Sequence, residues 1–122
     1  MRLRLEQPLR ASPEVVRERL RDPLAYLANP RVRRLRPMRD GFACFEQVGG
    51  PLVMPVYVSM RPTRLGVELD AWAPMTHIVG RLTVLEDRLV DELEVRVPWP
   101  VRAFARRRLL ASHGAMLEAL AG

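Results

Sequence analysis

The sequence predicts an α+β domain in which an antiparallel sheet of seven strands is covered by a long C-terminal helix. Three observations predict it. After residue 30, six strand-like segments follow one another with short turns between them, and parallel neighbours would need connections of a dozen or more residues. The last twenty or so residues repeat apolar side chains at helical spacing. One strand-like segment and two short helical segments come first, and the length of 122 residues fits a single domain over residues 1–122.

The first element is predicted by strict alternation in residues 2–9, RLRLEQPL. Leu3, Leu5, Gln7 and Leu9 share one side, and the charged residues between them share the other. Such alternation is typical of a half-buried strand.

Two residue pairs, Ser12-Pro13 and Asp22-Pro23, predict two short helices instead of one long helix. Ser12 suits an N-cap, because its hydroxyl can accept a free backbone N–H, and Pro13 suits the first helical position. Asp22-Pro23 repeats the signal, and Pro23 would clash inside a continuing helix. We therefore expect the chain to turn at Asp22, to restart a short helix, and to end it at Asn29-Pro30.

The six following strands are expected to have one apolar and one polar side, as in an antiparallel sheet covered on one face. Their expected ranges are 31–38, 42–48, 52–60, 65–72, 76–85 and 88–97. The inward positions of the last three strands are Leu65, Val67, Leu69, Ala71, Ile78, Gly80, Leu82, Val84, Leu89, Leu93, Val95 and Val97. The final helix is expected over 101–120, and we interpret Gly114 within it as a close approach to the sheet or a bend.

This order of elements resembles the START-like superfamily, also called SRPBCC or the polyketide cyclase/dehydrase and lipid-transport group. The resemblance is strongest in Ser12-Pro13-Glu14-Val15-Val16, followed by Leu20, Asp22-Pro23 and Pro30. It implies a helix-grip fold, in which the sheet curls around the last helix and the two short helices close one end. It also implies that a small hydrophobic or amphipathic molecule binds between sheet and helix, and it supplies no universal catalytic residue, although some members catalyse steps such as cyclisation. Our first hypothesis is binding of such a molecule without clear catalysis.

The expected ligand-binding residues are inward sheet positions and the residues on or near the apolar side of the last helix. They are Met54, Tyr57, Met60, Leu69, Ile78, Leu82, Asp91, Leu93, Phe104, Arg108, Leu109 and His113. The plainer interpretation of the methionines, of Tyr57 and of Trp72 is ordinary packing of a filled interior.

Asp91 is the most informative of these residues, because it shares a side with Leu89 and Leu93. A carboxylate that faces an apolar interior is costly unless it is paired. It could orient a ligand or act as an acid or base, or it could be solvated near the strand's start or paired with an arginine. Arg108 could pair with Asp91 or hold a ligand carboxylate, and His113 could be a packing residue. A small enzyme using Asp91 with Arg108 or His113 is a further hypothesis.

The net charge of +6, carried by 20 arginines and no lysine, leaves a second function open. The Arg-rich stretches 31–39 and 106–108 could dock an acidic protein or a nucleic acid. No aromatic residues interleave them and no known binding motif occurs, so a nucleic acid is not the expected partner.

Other classes of site find little support in the sequence. Cys44 is the only cysteine, which excludes an intrachain disulfide, and two isolated histidines have no metal-ligand spacing, so no metal or cofactor is expected. No apolar run reaches the ~18 residues of a membrane span. The start MRLRLEQPLR lacks the apolar core of a signal peptide, so a cytoplasmic location is the default expectation.

Overall fold

The computed structural model describes all 122 residues, and its elements follow the predicted order. They are β1 (Arg2–Pro8), α1 (Pro13–Arg21), a 3-10 helix (Pro23–Ala28), β2 (Val32–Met38), β3 (Gly41–Gly49), β4 (Leu52–Pro62), β5 (Gly66–Ala73), β6 (Thr76–Val84), β7 (Arg88–Arg96), a 3-10 turn (Trp99–Val101) and α2 (Arg102–Ala121). The seven strands form one antiparallel sheet in the order β1-β7-β6-β5-β4-β3-β2, which curls over α2. The predicted fold class is confirmed.

The two proline-containing breaks turn the chain across one end of the sheet. The Ser12 hydroxyl accepts the Val15 N–H at 3.3 Å and caps α1, which has Pro13 in its first turn. The Asp22 carboxylate accepts the Leu24 N–H at 3.0 Å and caps the 3-10 helix. Each cap satisfies a backbone donor that has no partner inside the helix. Each of the two short helices therefore begins with a capped backbone donor where the chain changes direction.

The main hydrophobic core lies at this closed end, between the sheet, α1 and the C-terminal half of α2. Its fully buried large residues are Val16, Leu20, Val67, Leu82, Val84, Leu89, Leu117 and Leu120. Tyr26 extends the core: its ring stacks on Phe42 with centroids 5.2 Å apart, and its hydroxyl donates to the Leu20 carbonyl at 2.6 Å. Arg21 fixes α1 to the sheet by donating to the carbonyls of Gly66 and Thr63, at 3.1 and 2.6 Å.

The C-terminal end of α2 is tied to the segment after β1 by backbone hydrogen bonds, whereas its first turn is largely exposed. The Ala121 carbonyl accepts the backbone N–H groups of Arg10 and Ala11 at 2.9 and 3.2 Å, while Phe104, near the other end, is 54% exposed. Nothing lies within 4 Å of the position that a Cβ on Gly114 would take, so the expected close approach of Gly114 to the sheet is wrong. No helix of this protein combines the length and the apolar character needed to cross a membrane.

Two glycines should respond to alanine substitution in opposite ways. A Cβ on Gly66 would lie 2.0 Å from the Leu82 carbonyl oxygen of the neighbouring strand, so Gly66→Ala forces strands β5 and β6 apart. We expect it to lower the free energy of unfolding by about 1–3 kcal/mol. Gly114→Ala meets no neighbour and should raise that free energy by about 1 kcal/mol through helix propensity. Urea unfolding of both variants checks this, and equal effects of the two substitutions would contradict the described contacts.

Candidate ligand-binding cavity

A cavity of about 340 Å³ lies between the sheet and the N-terminal half of α2, beyond the main core. Most of the residues around it are hydrophobic. The sheet supplies Met54, Val56 and Leu69, among others, and α2 supplies Phe104 and Leu109. The cavity exists because α1 and the C-terminal half of α2 fill only one end of the curled sheet.

Most of the predicted ligand-binding residues lie around this cavity. They are Met54, Leu69, Ile78, Leu93, Phe104, Arg108, Leu109 and His113. Leu69, Ile78 and Leu93 are there because successive side chains of a strand point to opposite faces, which is the alternation that predicted them. Their placement around the cavity is observed, and their contact with a ligand stays a prediction.

Four predicted residues lie elsewhere. Leu82 is fully buried in the main hydrophobic core, and Met60 packs against that core. Asp91 lies behind the ring of His113 and does not line the cavity. Tyr57 is on the outer face of the sheet and 55% exposed, so its expected inward position is wrong. The physical reason is the pleat: Val56 faces inward, so its neighbour Tyr57 must face outward.

The polar end of the cavity is built around a hydrogen bond between α2 and β7. His113 Nδ1 lies 2.6 Å from Asp91 Oδ2, and the side chains are 16% and 1% exposed. Asp91 is opposite Leu5 on β1 and Leu82 on β6, so strands flank it on both sides and water does not reach it. The expectation of a solvated or arginine-paired carboxylate is therefore wrong, and the partner of Asp91 is His113.

Arg108 and Arg33 donate hydrogen bonds to backbone carbonyls of the protein itself. Arg108 Nη2 donates to the Gln47 carbonyl at 2.8 Å, which holds it beside β3 and away from Asp91. Arg33, in the Arg-rich stretch 31–39, donates to the Pro30 and Val32 carbonyls. Nothing in these contacts favours docking of an acidic protein or a nucleic acid.

Glu46 is a residue of the polar end that the sequence interpretation missed. It lines the cavity and accepts a hydrogen bond from the Ser112 hydroxyl of α2. The signal was present in β3, because Phe42, Cys44 and Glu46 share one side of an alternating strand and the first two are buried. Asn29, which follows the 3-10 helix, also lines the cavity.

The carboxylates at the polar end shift the titration of their neighbours. Burial lowers the pKa of His113, but the hydrogen bond and charge of Asp91, helped by the charge of Glu46, outweigh burial and raise that pKa above its ordinary value. Burial, with the charge of Glu46, raises the pKa of the Cys44 thiol to about 11. Cys44 is therefore a protonated packing residue at neutral pH and not a nucleophile.

The site can therefore hold an apolar molecule with its polar group near one histidine. The imidazole can accept or release a proton, and its pKa lies above its ordinary value. No group of three or more His, Cys, Asp or Glu side chains is placed to bind a metal ion.

Solved structures share this fold at low sequence identity. The TTHA0849 protein of Thermus thermophilus is 16% identical and superimposes with a TM-score of 0.79, over 98% of this chain and 94% of that one. A hypothetical protein from Sulfolobus tokodaii is 11% identical with a TM-score of 0.74, over 95% and 88% of the two chains. A Thalictrum norcoclaurine synthase point mutant, in complex with a transition state analogue, is 12% identical with a TM-score of 0.69, over 99% and 91%. No protein-family model matches this sequence, and no curated protein matches it.

The raised pKa of His113 makes stability depend on pH in a defined direction. The folded protein binds a proton at His113 more tightly than the unfolded chain, so this contribution is complete below the unfolded pKa, about 6.5, and is lost as pH rises through the folded pKa. We expect the free energy of unfolding to fall above pH ~6.5 in wild type and less so in His113→Gln.

Urea unfolding between about pH 5.5 and 8 measures the fall in the free energy of unfolding. Most of this range lies below the pH at which the unfolded chain's cysteine would titrate and add its own contribution. His77→Gln is the control, because His77 is bound to Asp70 on the outer face of the sheet and leaves the His113 contribution in place. Identical pH profiles for wild type and His113→Gln would contradict the assignment.

Proposed function

We propose that this chain is a START-like (SRPBCC) domain that binds a small hydrophobic or amphipathic molecule between its sheet and α2. The observation that carries the proposal is the 340 Å³ space with mostly hydrophobic walls. Its volume lies at the lower end of the roughly 300–1,000 Å³ that ligand pockets occupy. The fold-sharing norcoclaurine synthase, solved with a transition state analogue, supports a fold of this kind as a binder of small molecules.

The mouth of the cavity supports a ligand with substantial apolar surface. Leu52, Met75 and Phe104 border the cavity, yet each of them is more than half exposed. Removing apolar surface from water is worth about 25 cal/mol per Å², so an apolar molecule that covers these side chains gains affinity from them. A group of exposed apolar residues around an opening is typical of a binding site.

The polar end supports an amphipathic ligand over a pure hydrocarbon. Glu46, Arg108, Ser112 and His113 line one part of an otherwise oily cavity. A few polar groups in an apolar pocket are the usual means of orienting a ligand. The proposed ligand therefore has one polar group directed to α2 and an apolar body against the sheet.

A matched pair of helix substitutions tests this proposal. Ala105 lines the cavity, whereas Ala103 is exposed on α2 and does not. The uncharged fluorescent probe N-phenyl-1-naphthylamine should bind wild type with an increase in emission. Ala105→Trp should weaken binding at least about tenfold, equivalent to ~1.4 kcal/mol, because the indole occupies the cavity. Ala103→Trp should leave binding within about twofold of wild type.

The result is decisive if circular dichroism shows that both variants are folded. Failure of wild type to bind the probe, or equal loss in both variants, would overturn the proposal that the cavity is the binding site. Native mass spectrometry of the purified protein gives an independent check by detecting any small molecule that purifies with it.

A further inference from the structure

The side chain of His113 presents one nitrogen to Asp91 and leaves the other without a protein partner. Nδ1 lies 2.6 Å from the Asp91 carboxylate, and the ring lines the cavity. Nε2 makes no hydrogen bond within the protein, and it is not one of the fully buried polar atoms that lack a partner. A neutral imidazole that donates its Nδ1–H to a carboxylate carries its free electron pair on Nε2. The orientation therefore leaves a proton acceptor at the cavity.

A second observation points to the same place. The Asp91 Oδ1 atom is buried and has no hydrogen-bond partner. Gly80 on β6 lines the cavity beside it, and a Cβ there would lie 3.7 Å from Oδ1 and 3.0 Å from Leu93 Cδ2. Because Gly80 has no side chain, nothing from this position intervenes between the carboxylate and the cavity. An unsatisfied buried carboxylate oxygen is costly in a folded protein, so it marks a position where a ligand group or a function is expected.

We propose that His113, oriented by Asp91, accepts a proton from the molecule bound in the cavity, and that this molecule is an uncharged apolar compound bearing a weakly acidic group. Such a group is a phenol-type hydroxyl or a C–H beside a carbonyl. The inference rests on the proposed ligand-binding function and deepens it. A neutral acid enters an oily cavity at little cost, whereas a carboxylate would lose its hydration there.

The proton transfer balances without any further reactant. The bond between the acidic hydrogen and the ligand breaks, and its electron pair stays on the ligand. A new N–H bond forms at Nε2 of His113, and Nδ1 keeps the hydrogen that it shares with Asp91. The positive charge on the imidazolium then faces the Asp91 carboxylate, and the negative charge on the ligand faces the imidazolium. Return of the proton to the ligand restores the starting state.

The charges around His113 favour this transfer. Asp91 reaches it from β7 and Glu46 acts on it from β3, so two carboxylates stabilise the imidazolium. Arg108 on α2 is the nearby cation, but its guanidinium binds the Gln47 carbonyl beside β3. Tyr26, whose hydroxyl donates to a backbone carbonyl, stays neutral because burial and the charge of Asp91 raise its pKa. The surroundings thus make His113 a stronger base than an exposed histidine.

The protein contains a matched control for this pair on the other face of the sheet. His77 Nε2 lies 2.5 Å from Asp70 Oδ1, and the His77 ring stacks on Trp72 with centroids 3.6 Å apart. This pair has the same two chemical groups in contact, but it lies outside the cavity. Variants of the outer pair therefore test whether a histidine–carboxylate pair anywhere on the molecule produces the effect.

The experiment measures the ionisation of a phenol bound to the protein. The probes are 7-hydroxy-4-methylcoumarin and 2-naphthol, whose neutral and anionic forms absorb at different wavelengths. Each probe is titrated with pH in the presence of saturating protein. An apolar cavity alone would raise the pKa of the phenol, because it disfavours the anion. Transfer of its proton to His113 should instead lower the pKa of the bound phenol by at least about one unit, a tenfold change in the ionisation constant.

Variants assign the effect to the two residues. In Asp91→Asn and in His113→Gln, the bound phenol should ionise at or above its own pKa in water. Either of these two variants is enough to test the assignment, so if one of them does not fold, the other still decides it. In Asp70→Asn and His77→Gln, the lowered pKa of the phenol should be as in wild type. The proposal is overturned if the wild-type protein does not lower that pKa, or if the outer-pair variants abolish the effect equally.

The outcomes separate this proposal from the function on which it rests. If the phenols bind wild type, fail to bind Ala105→Trp, and show no lowered pKa, the cavity is a binding site and His113 is not its proton acceptor. If neither phenol binds wild type, the proton-acceptor proposal fails, and the N-phenyl-1-naphthylamine experiment decides whether the cavity binds apolar molecules at all.

Discussion

The packing of the C-terminal half of α2 against the sheet and α1 is the contact on which the rest of the structure depends. Leu117 and Leu120 are fully buried there, and the Ala121 carbonyl accepts two backbone N–H groups from the segment after β1. This contact fixes the direction and the rotation of a rigid helix. Once they are fixed, the N-terminal half of the helix extends over the open end of the sheet. His113 comes to lie over Asp91, and Ser112 over Glu46.

The same contact explains why the protein has a filled end and an open end. At the closed end, α1 and the 3-10 helix provide Val16, Leu20 and Tyr26 to complete the core. At the other end, leucines of α2 pack against part of the sheet, but Ala71 and Gly80 on the strands add little volume and space remains. Side chains that line an unfilled space make fewer dispersion contacts, which lowers the stability of the folded state. A molecule that fills the space restores those contacts and stabilises the folded state by mass action.

The Asp91–His113 pair is a second cost that the core does not require. Burying two ionisable groups removes their hydration, and a pair of well-packed hydrophobic residues is often as stable or more stable. Its position at the cavity, with one carboxylate oxygen left without a partner, is difficult to explain as a device for stability. It fits the proton-acceptor role proposed for His113, since perturbed titratable groups concentrate at functional sites.

Alternation made much of the site predictable, and its failures have physical causes. Asp91 is in phase with Leu89 and Leu93 in β7, and all three side chains are buried. Tyr57 lies on the outer face because it is out of phase with the buried Val56 in β4, whatever its amphipathic character suggests. Glu46 is in phase with the buried Phe42 and Cys44 in β3, so the alternation of that strand also places Glu46 inward.

The amino-acid sequence by itself determined the order of the elements, the two breaks before β2 and the inward face of most strands, because caps, prolines and periodicity act over a few residues. Only the tertiary structure decided that Asp91 pairs with His113 instead of Arg108, and that space remains beside them. Those outcomes depend on the rotation of α2 and its distance from the sheet. Both are set by packing between residues far apart in the chain, and local sequence patterns do not reveal such packing.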